Sequence, residues 1–167
     1  MPVIVPAFVN GLIAAETPPK ESIAQQAKGF VDAFIPYIKG AVSNGIPITQ
    51  PTCDLPVTQS ALQGGVAYAF SLGSGPAVAN ALGQAILAFF NSAPVVPPAS
   101  GFFSSALGAA ISGPLWTYMS GISAPVDLQK PAKTAVVSAI TSWMAAGPGG
   151  GLFITFPGSP NIQAPIT

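Results

Sequence analysis

Apolar residues recur along this chain mostly at helical intervals. After Thr17-Pro18-Pro19, residues Ile23, Ala27, Phe30, Phe34 and Ile38 follow at spacings of four, three, four and four, which is one face of a helix. Thr17 can cap that helix, and Pro18 suits a first turn, where no backbone N–H is needed. Lys20, Glu21, Lys28, Asp32 and Lys39 mostly decorate the remaining faces, with Lys28 and Asp32 four apart and able to pair. Pro36 predicts a kink, because it removes an N–H and clashes one turn back. Gly40 or Asn44-Gly45 predicts the end.

Residues 46–57 read as an extended connector whose three prolines oppose both a helix and a sheet interior. Thr58 or Asp54 can cap a helix over residues 59–72, which Gly73-Ser74-Gly75 breaks. Ser74 can cap a further helix over 76–91, with Pro76 near its start. The run from Ala93 to Pro98 has polyproline character. A shorter helical pattern follows over 101–112 and stops at Gly113-Pro114, with a turn or two more around Leu115–Met119. The last helix, 131–145, opens on Pro131 and carries Ala135, Val136, Ala139, Ile140 and Trp143.

The pattern then changes. Gly147–Gly151 reads as a flexible break, and Leu152-Phe153-Ile154-Thr155-Phe156 has strand composition. No hairpin partner for that strand is legible in the chain, so it either packs on its own helices or adds to a neighbouring subunit. The fold class expected is mainly α: a compact bundle of about five helices with Pro-rich connectors and an extended C-terminal strand or arm. Residues 1–146 form the helical domain and 147–167 the Gly/Pro-rich arm. Ala81–Ile86 faintly echoes Ala106–Ile111, as Ala-rich helices do by composition alone.

Charge sharpens this picture. The 167 residues carry five Lys, five acids, no Arg and no His, so only 6% are charged against roughly 25% in an average soluble domain. Between Asp54 and Asp127 there is no charge at all. A folded monomer of this mass exposes roughly 7,600 Å², which gives about one charge per 760 Å². Either neutral polar groups and turns cover the surface, or partners do; the 50% hydrophobic content favours partners.

The same scarcity removes several functions. Five scattered Lys balanced by five acids make no phosphate-binding patch, which disfavours nucleic acid. Without His, with one Cys and no close carboxylate cluster, neither a metal site nor a Ser-His or Cys-His mechanism is expected. Cys53 cannot form an internal disulfide and reads as a small packing residue. No G-x-S-x-G elbow, phosphate loop or dinucleotide fingerprint is present, and no cofactor is implied. A Ser-Lys dyad using Lys130 or Lys133 is the remaining catalytic option, and it is a poor one. Glu16 and Glu21 flank a helix start, where they complement the dipole. Asp54 and Asp127 read as turn or cap residues.

The opening MPVIVPAFVNGLIAAE lacks a basic n-region and is interrupted by Pro2 and Pro6, so no secretory signal is expected. Prolines also break the uncharged middle, leaving no continuous apolar run long enough to span a membrane. The expectation is therefore a non-enzymatic structural subunit of a larger assembly. The setting envisaged is a virion assembled in the host cytoplasm: a phage capsid, neck, tail or baseplate component. Its partners would be other copies of itself or other structural proteins of the same assembly. The subunit contacts expected are Phe89, Phe90, Phe102 and Phe103 in the charge-free middle, and Leu152, Phe153, Ile154 and Phe156 in the tail. Two alternatives remain: a membrane-associated helical protein packed through small residues, or a binder of small apolar ligands with Phe89, Phe90, Phe102, Phe103, Trp116 and Trp143 lining a cavity.

Overall fold

The computed structural model describes residues 5–15, 22–47, 49, 51–72, 74–92, 99–101, 126–149, 151–156, 160 and 162–167. Among these are five α-helices: α1 (Val5–Ala15), α2 (Ile23–Ile38), α3 (Pro56–Ser71), α4 (Gly75–Asn91) and α5 (Val126–Ala146). Short strands accompany them: β1 (Val42–Ser43), β2 (Ile46–Pro47), β3 (Ala99–Gly101), β4 (Leu152–Phe156) and β5 (Ile162–Pro165). The mainly helical class expected from the sequence is what the chain adopts. The helices touch in the order α5–α1–α2–α3–α4, and α4 meets β3 while α5 meets β4, so the sheet completes the circuit.

Helix α2 supplies the centre. Ala27, Phe30, Phe34 and Ile38 are buried as their spacing predicts, whereas Ile23 at the start of the stripe is exposed. Phe34 meets Phe89 and Phe90 of α4 edge-on, at ring-centroid distances of 6.3 and 6.5 Å. Phe30 meets Phe70 of α3 at 6.1 Å, and Phe8 of α1 lies over Tyr37 at 4.5 Å. Such edge and tilted ring pairs add about 0.5–1.5 kcal/mol each beyond the area they bury. The ion pairs described are exposed: Lys28 with Asp32 as the i,i+4 spacing predicts, and Lys39 with Asp54. Pairs of this kind stabilise by about 0–1 kcal/mol, so apolar burial dominates this fold.

Several helix boundaries differ from the sequence reading. Helix α2 starts at Ser22 rather than Thr17, which lies outside the described residues. Ser22 has extended N-cap geometry and its side-chain oxygen accepts the Gln25 N–H at 3.2 Å. Ser22-x-x-Gln25 is a capping-box spacing that outranks the Thr-Pro-Pro signal. Pro36 sits in the last turn of α2, exposed, and the helix closes two residues later at Ile38. Helix α1 forms despite Pro6, because that proline occupies the first turn, where its missing N–H costs nothing. Helix α3 begins at Pro56, three residues before the expected 59, with Leu55 as N-cap and no side-chain cap bond. Helix α5 begins at Val126 and runs through Pro131. The patterns expected over 101–112 and 115–119 lie almost entirely outside the described residues; Gly101 ends β3.

The β-structure was only partly legible. Asn44 and Gly45, expected as a helix end, take φ values of 50° and 74° and turn β1 back onto β2 as a hairpin whose second strand opens the expected connector. Strand β4 does have partners in its own chain: β3 on one side and β5 on the other, both antiparallel. The Gly-rich segment before it is no loose break. Gly147–Gly149 forms a 3-10 turn, and the Gly151 N–H donates to the Gly147 carbonyl at 2.7 Å. A Cβ at Gly151 would strike the Trp143 carbonyl and the Ala146 methyl, so the close return of the chain onto α5 demands glycine. Beyond β5, the Ile166 N–H donates to the Met144 carbonyl, and Thr167 exchanges two backbone hydrogen bonds with Val42 at 2.7 and 2.9 Å. The C-terminal segment is thereby knit onto α5 and β1.

Candidate interaction surface

The residues expected to meet partners are mostly occupied within the chain. Phe90, Leu152 and Ile154 are 0% exposed and Phe89 is 3% exposed, all within the one hydrophobic cluster. A side chain without accessible area offers none to a neighbour, so Phe90, Leu152 and Ile154 are corrected from contact residues to core residues, and Phe89 keeps only an edge at the groove between α3 and α4. The alternation of β4 explains two of them: Leu152 and Ile154 point into the core and Phe153 lies on the other face, half-buried, while Phe156, on the core-facing side at the end of the strand, packs against the cluster and is also half-buried. Phe153 and Phe156 therefore keep some surface for a partner. Phe102 and Phe103 lie outside the described residues, as does Trp116. Trp143 is fully buried and packs the core together with Phe90.

The two candidate catalytic lysines differ in exposure. Lys130 is exposed, but Lys133 is 1% exposed within α5, where no substrate reaches it. Cys53 is buried in the 3-10 turn Pro51–Asp54, and burial together with the Asp54 carboxylate pushes its thiol pKa up, away from the reactive thiolate. Asp54 belongs to that turn and pairs with Lys39 at 2.7 Å, and this hydrogen bond raises the Lys39 pKa. No group of three or more metal-ligating side chains occurs among the described residues. No described helix is long and apolar enough to cross a membrane.

The surface that stands out is the α3–α4 hairpin. From Leu55 to Ser92 it carries no charged residue. Helix α3 packs Leu62, Val66, Ala69 and Phe70 inward. Its opposite side presents Val57, Ala61, Gly64 and Tyr68, again at spacings of four, three and four. Val57 is 73% exposed and Tyr68 64%, the two most exposed large apolar side chains described. Beside them Asn80, Gln84, Ala88 and Asn91 form the outer row of α4. A shallow apolar groove of about 170 Å³ runs between the two helices, bordered by Ala61, Gly65, Ala85, Ala88 and Phe89.

Two neighbouring glycines of α3 do different jobs. Gly65 faces α4, and a Cβ there would lie 2.9 Å from the Ala85 Cβ, so glycine sets the close approach of the two helices. Gly64 faces outward, and a Cβ there would meet nothing within 4 Å. A mid-helix glycine costs about 0.5–1 kcal/mol relative to alanine. No contact among the described residues uses that cost at Gly64. Sequence reasoning placed a helix here but missed its second apolar stripe. The signal was available, since Val57, Ala61, Gly64 and Tyr68 repeat the spacing of Leu62, Val66 and Ala69 on the opposite face.

No protein-family model, curated protein or solved structure matches the chain.

Proposed function

We propose that the protein is a non-enzymatic structural subunit of a larger protein assembly, working through contacts with copies of itself and with other structural proteins, without a cofactor. The observation that carries this reading is the uncharged outer face of the α3–α4 hairpin, with Val57 and Tyr68 held in solvent. A protein that keeps such a surface free works against its own solubility, whereas a subunit that covers it gains by burial. Of the side chains that an apolar-ligand cavity would use, Phe90 and Trp143 are buried in the core.

The setting that fits best is a virion, as a capsid, neck, tail or baseplate component. Small, charge-poor subunits suit particles in which each chain is surrounded by neighbours on several sides. Imaging the purified chain by electron microscopy at rising concentration tests the reading. Rings, tubes, sheets or closed shells of regular spacing are expected. Dispersed single chains at every concentration, with no ordered assembly on mixing with co-expressed virion proteins, would contradict it.

A further inference from the structure

We infer that the outer stripe of α3 is a seam for a second copy of the same chain, two α3 helices packing antiparallel about a twofold axis. This inference rests on the subunit reading above and names one of its contacts. The stripe runs Val57, Ala61, Gly64, Tyr68, large at the ends and small in the middle. Its four-three-four spacing is the heptad seam of helices that pack side by side. The order is also symmetric about its midpoint, between positions 61 and 64. An antiparallel partner therefore sets its Tyr68 against Val57 and its Gly64 against Ala61, and the same two pairs recur on the other side of the axis. That mutual fit is what a twofold contact requires, because one patch must serve both subunits.

Three features of the structure specify this occupant. The first is charge. The hairpin from Leu55 to Ser92 bears none, so a second copy buries no unpaired ion there, whereas a charged partner would have to. The second is Gly64, where an added Cβ would meet nothing within 4 Å among the described residues, which leaves room for a second helix backbone to approach closely. The third is the groove of about 170 Å³ bordered by Ala61, Gly65, Ala85, Ala88 and Phe89, which flanks the seam on the α4 side. It gives the rim of the partner helix an apolar surface to lie against.

The size of the face sets the strength of the contact. Two helices of this length, side by side, present a face roughly 25 Å by 20 Å, or about 500 Å² in projection. Stable interfaces bury about 800 Å² on each side, so this one lies at the weak end. It links chains in pairs and leaves other surfaces to extend the assembly.

Sedimentation equilibrium of the intact chain and its Gly64→Gln variant tests the seam. Glutamine forms helices well and meets open space in the single chain, so the variant is expected to melt no lower than the wild type. Its self-association is expected to weaken at least tenfold. A second measurement reads the geometry. Chains carrying Ala61→Cys are mixed with chains carrying Gly64→Cys, both with Cys53→Ala, and oxidised. Antiparallel packing joins residue 61 of one chain to residue 64 of the other. Disulfides chiefly between like positions would overturn the proposal. Association left unchanged by Gly64→Gln would remove the seam while the wider subunit reading stands. A wild-type chain that stays monomeric at every concentration would remove both the seam and self-assembly.

Discussion

The hydroxyl of Tyr37 on α2 lies 2.6 Å from Oγ1 of Thr141 on α5, and it crosses the molecule between two helices separated by α1 in the circuit of contacts. Thr141 Oγ1 also lies 2.8 Å from the Val137 carbonyl one turn back, so the two hydroxyls and that carbonyl form one hydrogen-bonded chain in which either hydroxyl can donate to the other. The bond therefore fixes the orientation of α5 against the aromatic cluster at a position where Tyr37 is only 4% exposed.

Tyr37→Phe should cost about 1 kcal/mol, the usual net value of one such hydrogen bond, since Thr141 keeps its bond to Val137. Burial raises the Tyr37 pKa above its ordinary 10.0, an effect larger than the lowering by Thr141. The folded chain thus holds this proton more tightly than the unfolded chain does. That contribution to stability is complete below about pH 10 and is lost as pH climbs through the raised folded value. Urea unfolding at pH 8 and at alkaline pH should show a steeper alkaline decline in the wild type than in Tyr37→Phe. Equal declines would show that Tyr37 ionises as easily in the folded chain.

Adjacent glycines on α3 should respond in opposite directions. Gly64→Ala should stabilise the fold by about 0.5–1 kcal/mol, because the new methyl meets open space and the unfolded chain loses freedom. Gly65→Ala should destabilise it by about 1–3 kcal/mol, because its Cβ would stand 2.9 Å from that of Ala85 and the two helices must part. Thermal melts of both variants at low concentration read the fold without the seam. Melting shifts of the same sign would contradict the assignment of outer and inner faces.

The strand β4 should behave as part of the core. Ile154→Ala removes a fully buried side chain and should cost about 2–4 kcal/mol, and Ile166→Ala should cost a similar amount. Phe153→Ala, at a half-buried outward position, should cost less. Deletion of residues 147–167 should therefore unfold much of the helical body, because Leu152, Ile154 and Ile166 are 0% exposed within its core. Far-ultraviolet circular dichroism on the truncated chain checks this; a native helical spectrum would show that the segment is a dispensable arm.

Cys53 should resist alkylation in the native state. It is buried, and its pKa is raised by burial and by the neighbouring Asp54 carboxylate. Its labelling rate by a thiol reagent should rise as urea opens the fold and should increase only weakly between pH 7 and 8.5. Fast native labelling would place the thiol at the surface.

The helical body was readable because local signals agreed with the tertiary outcome. The apolar stripe of α2 and the Ser74-Gly75-Pro76 start of α4 each carry enough information within a few residues to fix an element. The misread positions are those where a local signal was overruled. Pro131 resembled a helix start, yet α5 extends five residues ahead of it; its missing N–H leaves only one carbonyl, that of Asp127, without a helical partner. The sheet was hidden for a different reason. Strands β3 and β4 lie about 50 residues apart, a pairing that no local pattern announces. Burial had the same limit. Phe89, Phe90, Leu152 and Ile154 are as apolar as any contact residue, and only the packing around α2 and α5 shows that their own chain covers them. The α3 stripe was legible as spacing, but its exposure became visible only once Leu62, Val66 and Phe70 were seen to face inward.

On the proposed reading this chain covers its uncharged face with neighbours. The most direct measurement is the mass of the purified protein in detergent-free solution, by light scattering across a range of concentrations. The mass should rise with concentration from one chain through a pair to larger defined species. A mass fixed at 16.7 kDa throughout would contradict it.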